Sequence, residues 1–280
     1  MTTSRPTDAG TQLAGRAGSD LERPGLDLAT LATRVTAALP RLDADERRVG
    51  VAVYALLAAG AVCSAGAIAV RCGLAPGRVR AVLGRLPTAT VEDGAVTAFL
   101  GLRRGDGAHR VSFGGGGLSV WCAWDALFVP ELAGAPALAE SSCPVTGEPI
   151  TVEVHPEFGV VRSSPDDALL SFLARPAPFA GDVVSGFCRW IHFLSGPDAA
   201  RDWLGSAGGG PDPSCPRTPE LTVISLDAGF ALGRMTNAAI FGDARPAGGR
   251  DGRPEARAPT GAEAPGPAGR ADRADVAGWR

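Results

Sequence analysis

Residues 51–57, Val51-Ala52-Val53-Tyr54-Ala55-Leu56-Leu57, complete a helix that starts amphipathic near Asp43 and ends without a polar side. A helix that is apolar all round has to be covered all round, so this segment predicts a buried element near the start of the fold. Before it, Leu28, Leu31, Val35 and Leu39 recur at helical spacing until Pro40 ends the pattern. After it, Ser64 can cap a short helix through Val70, and Gly73 turns the chain. A further helix over 75–86 places Val79, Val82, Leu83 and Leu86 on one face. Helix, glycine turn and helix, followed by Pro87 and by Val91–Val96 around an Asp93-Gly94 turn, predict a winged-helix-like three-helix module over 25–96.

Charge tests the DNA-binding use of such a module. Residues 25–87 hold eight Arg against four acids, a local charge of +4. On the second helix of the pair, Arg78 and Arg85 flank one edge of the apolar stripe and Arg80 the other, so they form no single groove-facing row. The whole chain carries a formal charge of -3, and neither nucleic acid nor a membrane surface is called for by that balance. No uncharged apolar run reaches the length of a membrane span, and the polar N-terminus lacks the apolar core of a signal peptide. All 27 basic residues are Arg, which together with 38 Gly and 23 Pro reflects base composition more than function. Six cysteines without dense, regular spacing argue against a secreted disulfide scaffold. A cytoplasmic protein with reduced thiols is the expectation.

Beyond the module, short apolar runs predict strands at 97–102, 109–113 and 118–121, with the glycine run 114–117 as a hairpin turn, since no helix follows it to cradle phosphate. A helix follows Trp121, kinked or ended in its first part by Pro130. Further strands are expected at 150–154, behind a Thr146-Gly147 turn, at 158–163, at 168–174, at 183–194 and at 221–226. Short and closing helices fall at 197–204 and 228–241, and a loop at 208–219 holds Cys215. The fold class is therefore α+β: a winged-helix-like module, then a mixed or antiparallel sheet with flanking helices over 97–242. Residues 1–24 and 243–280 lack periodicity and are expected to be disordered.

Chemistry gathers at Trp121-Cys122-Ala123-Trp124-Asp125. Cys122 and Asp125 stand at i and i+3 near a helix start, on one face, where thiol and carboxylate can share a proton. The helix N-terminus favours a thiolate and the carboxylate opposes it, so a buried Asp125 would tend to hold the proton itself. Each residue also has a plainer reading: a cysteine is often a buried small hydrophobe, and an acid in the first helical turn serves the helix dipole. Cys188, in a strand with His192 at i+4, reads equally as a core cysteine. Widely scattered cysteines without a Cys-x-x-Cys pair argue against a structural zinc site. Cys63, Cys72 and Cys215 have no recognisable companions, and His109, Arg110 and His155 are expected at the surface.

Three motifs in order narrow these choices: Trp121-Cys122-Ala123-Trp124-Asp125-Ala126-Leu127, Ser141-Ser142-Cys143-Pro144-Val145-Thr146-Gly147 and Phe187-Cys188-Arg189-Trp190-Ile191-His192-Phe193. Together with Val223-Ile224-Ser225-Leu226 and Gly229-Phe230-Ala231-Leu232-Gly233, they resemble the bacterial organomercurial (alkylmercury) lyases over residues 25–242. The resemblance implies a catalytic set of Cys122, Asp125 and Cys188, with the same three holding Hg(II) as product and with Cys143 structural. Arg189 and Trp190 stand where the family more often has Cys-His, a departure that bears on mercury hand-over more than on catalysis. The long tail and the loop at 208–217 also depart from the family.

What the resemblance implies is protonolysis of a carbon–mercury bond, with no cofactor required. The implied partners are the organomercurial substrate and, as acceptors of Hg(II), low-molecular-weight thiols or a mercuric reductase. Two other readings stay open at this level. One is a soft-metal binding protein without catalysis, and the other a metal-responsive winged-helix regulator.

Overall fold

The half-helix without a polar side is largely buried. In the computed structural model, which describes residues 27–86, 88–114, 117–176, 183–207 and 220–246, the first four helices are α1 (Leu28–Ala38), α2 (Ala44–Ala58), α3 (Ala65–Cys72) and α4 (Pro76–Leu83). Asp43 opens α2 as a reciprocal capping box: its Oδ1 accepts from the Glu46 N–H at 2.9 Å, and Glu46 Oε2 accepts from the Asp43 N–H at 2.8 Å. Val53, Tyr54 and Leu57 are fully buried. α2 packs on α3 and α4 at one side and on later helices at the other, which is why its sequence loses its polar face.

Gly73 closes α3 in the left-handed region (φ 68°), and Pro76 starts α4 at its first turn, where a missing N–H costs nothing. The expected Asp93-Gly94 turn joins β1 (Thr90–Glu92) to β2 (Ala95–Phe99), with both turn residues at positive φ. Arg78 of α4 pairs with Asp45 at 2.6 Å, and Arg85, just past the end of that helix, pairs with Asp43 and Glu46 at 2.6 and 2.8 Å. Such exposed pairs add little stability, but they neutralise the basic edge of this helix.

Then come β3 (Leu102–Arg103), β4 (His109–Ser112), β5 (Gly117–Val120), α5 (Ala123–Ala133), β6 (Ala137–Ser142), β7 (Pro149–His155) and β8 (Gly159–Ser164). β1 to β8 form one sheet in the order β1-β2-β3-β5-β4-β6-β7-β8, every neighbour antiparallel. Alternation is visible on β7, where Ile150, Val152 and Val154 point inward and their neighbours stay partly exposed. β9 (Leu169–Leu173), α6 (Val183–Gly186), β10 (Phe193–Leu194), α7 (Pro197–Ala207), β11 (Leu221–Ser225) and α8 (Leu226–Phe241) follow. The second sheet is antiparallel too, in the order β10-β9-β11. The architecture is α+β, with α5 between the large sheet and α8.

Three local expectations change. The strand expected over 97–102 is broken by Leu100 and Gly101, both at positive φ, which turn the chain from β2 into β3. Pro130 does not end α5, which runs on to Ala133 and is capped by Gly134 at φ 68°. Residues 183–194 are not a strand: α6 leads into a 3₁₀ turn, Cys188–Trp190, and only Phe193–Leu194 pair in a sheet. Apolar composition alone does not separate a buried strand from a buried turn. The expected arm at 1–24, the loop at 208–219 with Cys215, and the tail from 247 onward lie outside the described residues. The described part of the expected tail includes a 3₁₀ turn, Gly242–Ala244, and Arg245, whose Nη1 donates to Glu131 at 2.9 Å.

Candidate active site

Cys122 occupies the N-cap of α5, at the end of β5, with extended backbone geometry. Its N–H donates to Asp125 Oδ2 at 2.8 Å, while the Asp125 N–H is directed at the Cys122 sulfur. This is a capping box with a thiol in place of the usual hydroxyl. The sequence spacing of i and i+3 therefore does two jobs, closing the helix end and holding thiol and carboxyl together. The Ala123 N–H then donates to Ile191 O at 3.2 Å, which joins the start of α5 to the turn carrying Cys188.

That turn is held from behind by Ser171 of β9. Ser171 Oγ donates to Trp190 O at 2.9 Å and accepts from the His192 N–H at 2.8 Å, and the Ser171 N–H donates to His192 O at 3.0 Å. A buried serine in an otherwise apolar strand is thereby satisfied. The outcome is convergence: one ligand atom each from Cys122, Asp125 and Cys188 lies within 4.8 Å of the others, with all three residues buried. Cys63, Cys72 and Cys143 stand outside this group; they too are free thiols.

Burial sets the proton positions. It pushes the Asp125 carboxyl up to about 7, against hydrogen bonds from the Cys122 side chain and from the Cys122 and Trp121 backbone, which pull the other way. Burial also pushes the Cys122 thiol well above its ordinary value, helped by the neighbouring Cys188 and by the charge of Asp125. Both effects favour protonated groups at rest, with Asp125 poised to gain or lose its proton near neutrality.

A cavity of about 50 Å³ adjoins the group. Cys188 and Asp125 reach its wall, and most of the rest is apolar: Trp121, Trp124, Phe128, Phe187 and Phe241 among them. Trp124 is fixed by Nε1–H donation to Gly229 O at 3.0 Å and by edge contacts with Phe172 and Phe187. Tyr54 of α2 closes another side, its hydroxyl donating to Leu100 O at 2.8 Å. Burial and the nearby Asp125 charge keep that phenol protonated. Gly101 lies so near the carboxyl that a Cβ there would meet Asp125 Oδ1 at 2.5 Å.

Several of these residues were not foreseen as site residues. Tyr54 is legible only as part of an apolar helix and Gly101 only as part of a strand, because neither carries a spacing signal toward Cys122. His109 is a correction: expected at the surface, it is buried, with Nδ1 2.8 Å from Ser141 Oγ and its ring 5.7 Å from that of His192. Burial and the neighbouring His192 push it down to about 4, so it is neutral. His192 Nε2 lies 2.8 Å from Arg189 O, within the turn that carries Cys188. At Cys143, burial pushes the thiol up, but hydrogen bonds from Thr146 and Ser195 outweigh it and bring the thiol down to about 7. The Cys143 backbone closes the hairpin turn, exchanging bonds with Gly147 and Glu148.

Comparison with known proteins bears on what such a group is for. A family model described as alkylmercury lyase matches residues 104–235. An alkylmercury lyase of Bacillus cereus is 33% identical over 171 residues, 61% of this chain and 72% of the relative. One of Streptomyces lividans is 30% identical over 219 residues, 77% of this chain and 95% of the relative. The chain belongs to the alkylmercury lyase family. Among solved structures, the mercury-bound form of MerB2 shares the fold, with a TM-score of 0.54 and 21% identity over 76% of this chain and 98% of its own. The family match starts at residue 104, yet Tyr54 and Leu39, from the helices before it, line the cavity beside Asp125.

Proposed function

We propose that this member of the alkylmercury lyase family cleaves carbon–mercury bonds by protonolysis, with Cys122, Asp125 and Cys188 as its catalytic residues. The observation that carries the reading is the meeting of two thiols and one carboxyl within 4.8 Å, beside an apolar-walled cavity. Soft thiolates select mercury, and the carboxyl supplies a proton where carbon is released.

An organomercurial R–Hg–SR′ enters with R in the cavity, and the Cys188 sulfur bonds to mercury and displaces R′S, which takes the Cys188 proton and leaves as the thiol R′SH. Cys122 then bonds to mercury while its proton passes to the Asp125 carboxylate. Two sulfurs raise electron density on the metal and weaken its bond to carbon. Asp125 gives the proton to carbon, the carbon–mercury electron pair becomes the new C–H bond, and R–H leaves. Hg(II) remains bridged by Cys122 and Cys188 as product, with Asp125 beside it. Two small thiols exchange it out and return both cysteines to their protonated state; a mercuric reductase is an alternative acceptor. No resident cofactor enters these steps. Among the described residues no helix is long and apolar enough to cross a membrane, and the cytoplasm, with its reduced thiol pool, is the compartment that suits the chemistry.

The test is ethane release from ethylmercury by reduced protein in excess thiol. Cys122→Ser, Asp125→Ala and Cys188→Ser are each expected to lower turnover about a thousandfold or more. Binding of ethylmercury without ethane would leave a soft-metal binding protein instead. That second reading gains support only from an Asp125 turned away from the sulfurs, whereas here it adjoins both. Pairing of Arg78 and Arg85 with acids of α2 speaks against the regulator reading, since paired arginines contribute less to phosphate contact.

A further inference from the structure

Leu100 and Gly101 form a two-residue hairpin turn between β2 and β3, with φ of 32° and 87°. Positive φ at both places favours Asn-Gly or Asp-Gly, and a leucine there is strained unless its surroundings hold it. Two hydrogen bonds do so. The Tyr54 hydroxyl donates to Leu100 O at 2.8 Å, and the Trp121 N–H donates to Gly101 O at 2.9 Å. Tyr54 reaches the turn from α2, fully buried, with its ring set edge-on to those of Phe99 and Phe241.

Against this turn lies the carboxyl of Asp125. A Cβ on Gly101 would meet its Oδ1, Cγ and Oδ2 at 2.5, 2.6 and 3.1 Å, so the Gly101 backbone forms a wall for the whole group. Oδ2 is held in turn by the Cys122 N–H at 2.8 Å. We infer that Tyr54 is a positioning residue for the protonation step: its hydroxyl fixes the Leu100–Gly101 turn, and the turn confines the Asp125 carboxyl beside both sulfurs. This rests on the proposed activity in one respect, that Asp125 delivers the proton to carbon. Without the hydroxyl, Leu100 O loses its donor and the turn relaxes from a conformation that leucine disfavours. The Gly101 backbone then withdraws and the carboxyl gains other positions, and proton delivery is sensitive to displacements of that kind. Capture of mercury by Cys188 involves no atom of the turn.

The experiment measures single-turnover ethane release from ethylmercury by the wild type, Tyr54→Phe, Gly101→Ala and the double variant. Tyr54→Phe keeps the ring, and its rate constant is expected to fall about tenfold while the partition of ethylmercury between protein and glutathione changes less than about twofold. A smaller folded fraction would lower the amplitude, not the rate constant. Because both substitutions act on one turn, the double variant is expected to lose about as much as the more impaired single one, whereas independent losses multiply. An unchanged rate constant, a loss confined to the partition, or multiplying losses overturns the inference. Amide exchange, read residue by residue, tests the same link without cleavage. In Tyr54→Phe the N–H groups of Trp121 and Cys122, bonded to Gly101 O and Asp125 Oδ2, are expected to exchange at least about tenfold faster relative to that of Ala123, bonded to Ile191 O. Uniform acceleration of all three, the mark of a merely structural residue, or no acceleration overturns the assignment. If the wild type releases no ethane, the proposed activity fails on its own, and the exchange rates still decide whether Tyr54 holds the carboxyl.

Discussion

Asp125 lies in a helix whose residues Ala123, Trp124, Ala126 and Leu127 are all buried and apolar. A carboxyl in such surroundings costs stability when ionised, and its pKa of about 7 against an ordinary 3.8 states that cost. Between those two values the native state keeps a proton that the unfolded chain has lost. Its stability contribution is therefore complete below the ordinary carboxyl pKa and declines as pH rises toward and through 7. Thermal unfolding should show this directly: from about pH 5 to about pH 8, the Tm of Asp125→Asn rises relative to the wild type. Parallel curves would assign the carboxyl an unshifted pKa. The same group makes kcat/KM for the wild type climb through about pH 7, because the free enzyme needs a carboxylate to take the Cys122 proton. At this scale the Cys-x-x-Asp spacing was legible, since i and i+3 share a helix face.

Between elements, the turn from β2 to β3 governs how closely the backbone approaches Asp125. Gly101 has φ 87°, and its missing side chain leaves room for Oδ1. Gly101→Ala adds left-handed strain of roughly 1–3 kcal/mol and pushes the carboxyl away from both sulfurs. Ethane release is expected to fall at least about tenfold while far-UV circular dichroism stays native, and unchanged turnover would remove Gly101 from the positioning of the carboxyl. The segment 183–194 teaches the complementary lesson. Its apolar residues announced burial but not conformation, and the 3₁₀ turn exists because Ser171 satisfies the backbone groups of Trp190 and His192. That serine is distant in sequence, so nothing within 183–194 disclosed it.

Over the whole molecule, the N-terminal helices and the larger sheet share one core. Tyr54 packs edge-on against Phe99 and Phe241, with ring centroids 5.3 and 6.0 Å apart, and a Cβ on Gly50 would meet the Phe99 ring at 3.0 Å. Arg34 of α1 donates to Ala174 O at 3.0 Å. The described residues fall within one compact unit, so the segments 25–96 and 97–242 are expected to unfold together. All the tryptophans follow residue 120, whereas far-UV circular dichroism also registers α1 to α4. Denaturant transitions followed by tryptophan fluorescence and by circular dichroism should therefore coincide. An earlier transition in circular dichroism would separate the first segment as an independent domain.

Periodicity, capping residues and turn dipeptides act over a few neighbours, and they determined α2, the Asp93-Gly94 hairpin, the helix after Trp121 and the Thr146-Gly147 turn. The three ordered motifs likewise marked the family from the sequence. The meeting of Cys188 with Cys122 and Asp125, the neutral His109, and the place of Tyr54 in the cavity wall were decided only by tertiary structure. Each depends on contacts between residues far apart in the chain, and the free energy of those contacts comes from burial and backbone satisfaction that local spacing does not encode.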